Sequence, residues 1–311
     1  MKVSFPRSIL PILAAAFHML TITVANSETA PKSVSSDWFD VTYIDPGVYM
    51  IAEPKSSQYN ISYLVLGDKR ALMIDTGSGE NRPVNGTKMR HIVEQLTDLP
   101  VTLVLSHFHF DHNANIGEFD HVAFIDLDYL RARVGKDQVY RFSRRELAIG
   151  SHPKMVKVAE WWPMNTAIDL GSRRIKLLSV PGHTRDSIVV LDEANKLAFT
   201  GDSFAAGFAL LIGREGLDDY LRSVDSLIAR LDEDYRFFGA HRKQKSTYAG
   251  LAGLKAVLTC FKYSTCPNPP KVVKIAGFPG DVYNVRGSAL MFLRLPEGFY
   301  KQQKRGNAKK K

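Results

Sequence analysis

The stretch that most constrains this chain runs from Val101 to His112. Val101 to Leu105 is a nearly continuous apolar run after Pro100, and Ser106-His107-Phe108-His109-Phe110-Asp111-His112 follows without a break. A short apolar run bounded by turn signals reads as a strand buried on both faces, so the fold must cover each side of it. Side chains alternate along an extended chain. At the strand's exit His107, His109 and Asp111 are therefore expected on one side, with Phe108 and Phe110 turned to the core. Three histidines and one aspartate in so short a run supply imidazoles for one zinc ion and a carboxylate with an imidazole for a second. Four solvation-hungry groups at the end of a buried strand need a shared partner.

Around this strand the chain reads as two rounds of strands followed by helices. Val41 to Ile44, Val48 to Ala52, Ile61 to Leu66 and Ala71 to Ile74 are β-branched and aromatic runs separated by Asp-Pro-Gly and Gly-Asp-Lys turns. A helix is predicted over Val84 to Leu96 and a strand over Val122 to Ile125. From Asp126 to Trp162 the pattern reads as a charged, helical insertion over the scaffold. Strands resume at Ile175 to Val180, Ile188 to Leu191 and Leu197 to Phe199, then an amphipathic helix from Leu217 to Leu231 and a strand from Tyr235 to Phe238. No repeat or linker divides the body, which implies one domain, about residues 37–296, of two β-layers with helices outside.

Five motifs in order resemble the metallo-β-lactamase superfamily: Leu72-Met73-Ile74-Asp75-Thr76-Gly77, His107 to His112, Pro181-Gly182-His183-Thr184, Phe199-Thr200-Gly201-Asp202 and Gly239-Ala240-His241. The likeness extends from about Tyr49 to Arg242. It implies an α/β fold, a four-layer αββα sandwich of two mixed β-sheets with helices on the outer faces. It also implies that His107, His109 and His183 hold one metal ion, that Asp111, His112 and His241 hold another, and that Asp202 bridges them. From the residues alone, His183, Asp202 and His241 each follow a short apolar strand beside a glycine that lets backbone approach closely. Asp75 is similar to the family's aspartate that orders the metal loop by hydrogen bonds. A turn-forming Asp before Thr-Gly is the other reading.

Two zinc ions roughly 3.5–4 Å apart would lower the pKa of a shared water from about 16 toward neutrality and so supply a hydroxide nucleophile. Asp111 would orient it and pass its proton to the leaving group. Histidine and carboxylate ligands without thiolate also suit iron or manganese. The expected reaction is hydrolysis of an ester, lactone, thiolester or β-lactam-like amide in a small molecule. A phosphodiesterase, an iron-dependent persulfide dioxygenase and a non-catalytic metal-binding protein are the alternatives. Relatives with two irons usually carry Glu at the place of His109, and the β-lactamases proper carry Cys or Ser at the place of Asp202. Glyoxalase II continues differently after its last histidine, where this chain has Arg242-Lys243-Gln244-Lys245. Arg242 and Lys243 are candidates to attract an anionic substrate group at a cleft mouth, or are a solvated loop. Trp161, with Trp162, either walls the pocket or packs beside Pro163.

The net charge of +9 raises nucleic acid as a partner until its distribution is considered. Lys301, Lys304, Arg305, Lys309, Lys310 and Lys311 sit in a polar tail, residues 300–311, expected to be disordered. The body is nearly balanced, so no nucleic-acid partner is expected. The start has a charged front and a short apolar middle, Ile9 to Val24, interrupted by Pro11 and His18. That is the pattern of a signal peptide over 1–25, to about 27, rather than a stable membrane anchor, and it implies a periplasmic or secreted protein. Cys260 and Cys266, the only cysteines, either pair in an oxidising compartment or remain free thiols. Asn60-Ile61-Ser62 and Asn85-Gly86-Thr87 fit glycosylation sequons. Oligomeric state is not legible.

Overall fold

The computed structural model describes Met1 and residues 32–148, 153–205, 208–242, 245–275 and 278–294. The expected leader, apart from Met1, and the expected tail 300–311 lie outside the described residues. Every element below belongs to the compact unit Pro31–Lys311.

Strands β1 (Asp40–Asp45), β2 (Val48–Ala52), β3 (Ile61–Leu66) and β4 (Ala71–Ile74) form an antiparallel meander. Helix α1 (Met89–Leu96) follows, burying Met89, Ile92, Val93 and Leu96, one stripe at helical spacing. It starts five residues later than predicted. Gly86 N–H closes a turn on the Pro83 carbonyl at 2.8 Å, and Val84 is fully exposed there. Strand β5 (Val101–Val104) then lies parallel to β4, and after the short helix α2 (Phe110–Asn113) β6 (Val122–Ile125) lies parallel to β5.

Residues 126–162 are not the helical insertion expected. Among the described residues only α3 (Asp128–Arg131) is α-helical there. The remainder contains β7 (Val139–Arg141) and β8 (Met155–Lys157), paired with each other, and β9 (Glu160–Trp162), which joins β6 as the last strand of a seven-stranded sheet. Evenly spread arginines resemble a solvated helix face, but here they serve turns and strands. Arg131 binds Asp126, and Arg133 binds Glu146 and Tyr140.

The second sheet contains β10 (Ile168–Asp169), β11 (Arg174–Ser179), β12 (Ile188–Asp192) and β13 (Leu197–Gly201) in antiparallel order. The chain then leaves through β14 (Phe208–Ile212) and α4 (Leu217–Arg230) before β15 (Arg236–Gly239) returns parallel to β13, with β16 (Lys245–Ser246) at its edge. Helix α5 (Tyr248–Tyr263) is capped by Thr247, whose hydroxyl accepts from Gly250 N–H at 3.2 Å. Strands β17 (Lys271–Ile275), β18 (Phe278–Val285) and β19 (Ser288–Leu293) join β14 in a third sheet that local sequence patterns did not reveal.

Neighbouring residues of the second sheet enter opposite cores. Leu177, Val190, Phe199 and Phe238 join the core shared with the first sheet, where Phe199 packs on Tyr63 at 5.0 Å. Leu178, Val189, Ala198 and Phe237 face α4, α5 and the third sheet. The period-two alternation of a strand buried on both faces explains this partition and the near absence of polar residues along β12 and β13. Cys260 and Cys266 are disulfide-bonded at the end of α5. Among the described residues no helix is long and apolar enough to cross a membrane.

Candidate metal centre

The ligand-bearing segments leave the C-terminal ends of strands. Asp75 follows β4, His107 and His109 follow β5, and Asp202 and His241 follow β13 and β15. The expected alternation holds through His109, and Phe108 is buried against Phe124, Tyr140 and Phe142. It fails at Phe110, where α2 begins and Phe110 is only half-buried. The helical turn is what allows consecutive Asp111 and His112 both to face the site. Gly201 has φ 52, and a Cβ there would lie 2.5 Å from the Ser106 hydroxyl, so only glycine brings Asp202 this close to the histidine loop.

Seven side chains converge. His183 Nε2 lies 3.0 Å from His109 Nδ1 and 3.2 Å from His107 Nε2. His241 Nε2 is 3.1 Å from Asp202 Oδ1 and 3.7 Å from Asp111 Oδ2, and His112 Nε2 is 3.5 Å and 3.6 Å from the same two carboxylates. Asp202 Oδ2 also reaches to 3.7 Å from His183 Nε2, so this carboxylate stands between the two groups. Ligand atoms fall into three clusters able to hold a metal ion: His107, His109 and His183; His107, His112 and Asp202; Asp111, His112 and His241.

His112 Nε2 and Asp202 Oδ1 are buried without a hydrogen-bond partner. Leaving such groups unsatisfied costs roughly 1–3 kcal/mol or more each, and a cation between them removes that cost. Burial and then the neighbouring imidazoles hold His107 well below the usual imidazole range, burial and His183 push His109 down to about 3, and burial lowers His183. These three rings therefore keep free lone pairs. Burial also opposes charge on His112 and His241, but Asp111, Asp202 and Asp75 outweigh it at His112, and Asp202 does at His241. Burial opposes ionisation of Asp202, yet the facing His241 and His112 drive it well below the carboxylate range. One trio is thus neutral, while in the other cluster the carboxylates hold protons on His112 and His241 that a divalent cation would displace, leaving imidazole and carboxylate donors that suit such an ion.

Several supporting residues carry no local sequence signal. The Asn60 amide donates to the Asp111 carbonyl at 3.0 Å and to its carboxylate at 3.3 Å, which leaves this buried asparagine of a sequon engaged inside the site. Asp186 Oδ2 accepts from Phe108 N–H at 2.7 Å, pinning the backbone between two histidines. Buried Glu53 accepts from Ser78 and Gly79, fixing the loop after Asp75. Their partners lie tens of residues away, so spacing cannot reveal them.

A cavity of about 600 Å³ opens beside His109 and His183. Ile212, Phe278 and Leu293 of the third sheet supply apolar wall, and the charged lining is mixed, with Arg133, Arg145 and Arg185 beside Glu146, Asp186, Glu215 and Asp219. Trp161 is not among its lining residues; it packs on Phe124, with the Arg131 guanidinium 4.7 Å above its ring. Arg242 is also absent from the lining, and lies 5.1 Å over the Tyr59 ring, while Lys243 falls outside the described residues.

The sequence profile of the metallo-beta-lactamase superfamily matches residues 59–241, more than half of the chain. Among curated proteins, the acyl-coenzyme A thioesterase MBLAC2 of Gallus gallus is 26% identical over 282 residues, covering 81% of this chain and 98% of its own length. Its Homo sapiens counterpart is 26% identical over 261 residues, covering 74% and 91%. Among solved structures, a metallo-beta-lactamase from Pontibacter korlensis superposes with TM-score 0.53 at 17% identity, covering 71% of this chain and 99% of its own. A metallo-beta-lactamase family protein from Thermus thermophilus gives 0.53 at 18%, covering 73% and 85%. These likenesses establish the αββα fold expected from the motifs, and the chain belongs to the metallo-beta-lactamase superfamily as one of its hydrolases.

Proposed function

We propose that this chain is a dinuclear zinc hydrolase of acyl thioesters, with a coenzyme A-type thioester as substrate. The observation that carries this reading is a cavity beside His109 and His183 that joins the apolar side chains of Ile212, Phe278 and Leu293 to Arg185, an arginine with no carboxylate in ion-pair distance among the described residues, which suits an acyl chain joined to an anionic carrier. The MBLAC2 relatives, aligned over nearly their whole length, support the same class.

His107, His109 and His183 would hold one ion, Asp111, His112 and His241 the other, with Asp202 shared. Two bound zinc ions supply Lewis acidity toward a carbonyl oxygen and make water acidic enough to attack at neutral pH. The chain's own groups set the rest. His183 Nδ1 donates to the Leu210 carbonyl at 2.9 Å, which leaves Nε2 as the free lone pair. Asn60 fixes the Asp111 carboxylate, which is then placed to orient the attacking water and carry its proton to the departing thiolate. Iron or manganese in the same ligands would support related chemistry.

Export through the 1–25 leader is part of the proposal, and the Cys260–Cys266 disulfide supports it, because such bonds persist in oxidising compartments. The same disulfide favours a second reading, in which the substrate is an exported lactam or lactone bearing a carboxylate. A panel of acyl-coenzyme A, lactone, β-lactam and phosphodiester on the zinc-loaded protein decides. Thioester hydrolysis abolished by chelator is expected; turnover of another class alone would overturn the thioesterase reading. Amino-terminal sequencing of protein recovered outside the cytoplasm tests export.

A further inference from the structure

We propose that Arg185, whose guanidinium lies over the Tyr129 ring at the cavity wall, is the anchor for an anionic group of the substrate. This rests on the reading of the adjoining centre as a hydrolase of an acyl donor with an anionic part.

Arg185 sits in a short loop whose other residues are fixed. His183 is tied to the Leu210 carbonyl, Thr184 N–H and hydroxyl meet the Ser187 hydroxyl at 3.2 Å and 2.7 Å, and Asp186 holds Phe108 N–H. Gly182 N–H closes on the Thr184 carbonyl at 3.0 Å. Arg185 alone of residues 183–187 is exposed. Its guanidinium lies 3.9 Å from the centroid of the half-buried Tyr129 ring, so the stack, and not an ion pair, orients it.

The cavity's other two arginines are engaged by carboxylates, Arg133 with Glu146 and Arg145 with Glu215. Among the described residues no carboxylate lies within ion-pair distance of Arg185. Stacking occupies the face of a guanidinium and leaves its N–H edge for a ligand, and that edge matches phosphate or carboxylate oxygens bidentately. Arg185 lines the same cavity as His109 and His183, which lets one molecule place an anion there and its acyl carbon at the metal ligands. A phosphate of a coenzyme A-type carrier and a carboxylate on a lactam share this chemistry.

Two variants test it, Arg185→Ala and Arg185→Lys, with Tyr129→Leu as a third that removes the platform but keeps the charge. Arg185 is exposed, so its replacement should leave the melting temperature unchanged. In the zinc-loaded protein Arg185→Ala should raise KM for acyl-coenzyme A by roughly 10- to 100-fold, as for losing a charge-assisted hydrogen bond. Here kcat should stay within about twofold. Acyl-pantetheine, which lacks the nucleotide phosphates, should be unaffected, and Arg185→Lys and Tyr129→Leu should fall between. If the anion is a carboxylate, the same KM rise should appear for a lactam acid and not for its methyl ester. Calorimetric binding of 3′-phosphoadenosine diphosphate and of the lactam acid gives a readout independent of turnover. A wild-type protein that cleaves no thioester but binds one of these anions through Arg185 would end the thioesterase reading and keep the anchor. Unchanged KM and unchanged anion affinity in Arg185→Ala, or no anion binding by the wild type, would overturn the anchor.

Discussion

The Asp75 carboxylate lies 3.0 Å from Nδ1 of His112, and the same carboxylate accepts from both the backbone and the hydroxyl of Ser106 at 2.6 Å. Asp75 is buried and adopts φ 61, a left-handed conformation tolerated by aspartate in tight turns. One side chain thereby orders the entrance to the histidine loop and the far end of α2. It also fixes the His112 ring so that Nε2 faces Asp111 and Asp202.

Replacing Asp75 by Asn keeps its size but removes an acceptor: Oδ2 faces both the Ser106 hydroxyl and His112 Nδ1 while Oδ1 accepts from Ser106 N–H, so an amide must turn its NH2 toward one of these donors. Metal affinity should fall about 10- to 100-fold. Competitive chelator titration of variant and parent measures this, and equal affinities would assign Asp75 to the turn alone.

Metal removal should destabilise the whole domain, because the convergent ligands exist only in the folded chain. Zinc at about 100 times its Kd adds roughly 2.7 kcal/mol of stability. Thermal melts with zinc and with excess chelator should therefore differ by several degrees, and Asp202→Ala should shrink that difference. Superimposable melts would count against metal binding.

Asp186 imposes a pH dependence of its own. Burial, followed by repulsion from Glu146, raises its pKa to about 7 from the ordinary 3.8. Between these pKa values the native chain binds more protons than the unfolded one, so stability falls as pH rises from about 4 through 7. Asp186→Asn retains an oxygen for Phe108 N–H and cannot ionise. In chelated protein its melting temperature should gain on the parent as pH rises from 5 to 8, and a difference independent of pH would refute the assignment.

The disulfide closes a short loop, with a sequence separation of 6, so its entropic contribution is about 2 kcal/mol. Replacing both cysteines by serine should lower the melting temperature by roughly 4–8 °C. No change on replacement would show that the bond adds nothing to stability.

The sequence by itself determined the strands and the chemistry that ends them. Val101 to Leu105 and the residues before His183, Asp202 and His241 carry their burial in local composition, and a dense run of ligands is legible wherever it falls. Tertiary structure decided what local pattern could not carry. Residues 160–162 became a strand because β9 found an open edge beside β6, a pairing no local window contains. The third sheet joins β14 to β19 across the intervening α4 and α5, and only that closure brings Ile212 and Leu293 to one wall of a cavity. Asn60, Asp186 and Arg185 likewise acquire their roles through partners distant in sequence but adjacent in space. Periodicity reports which way a side chain faces, while what it meets there depends on long-range pairing.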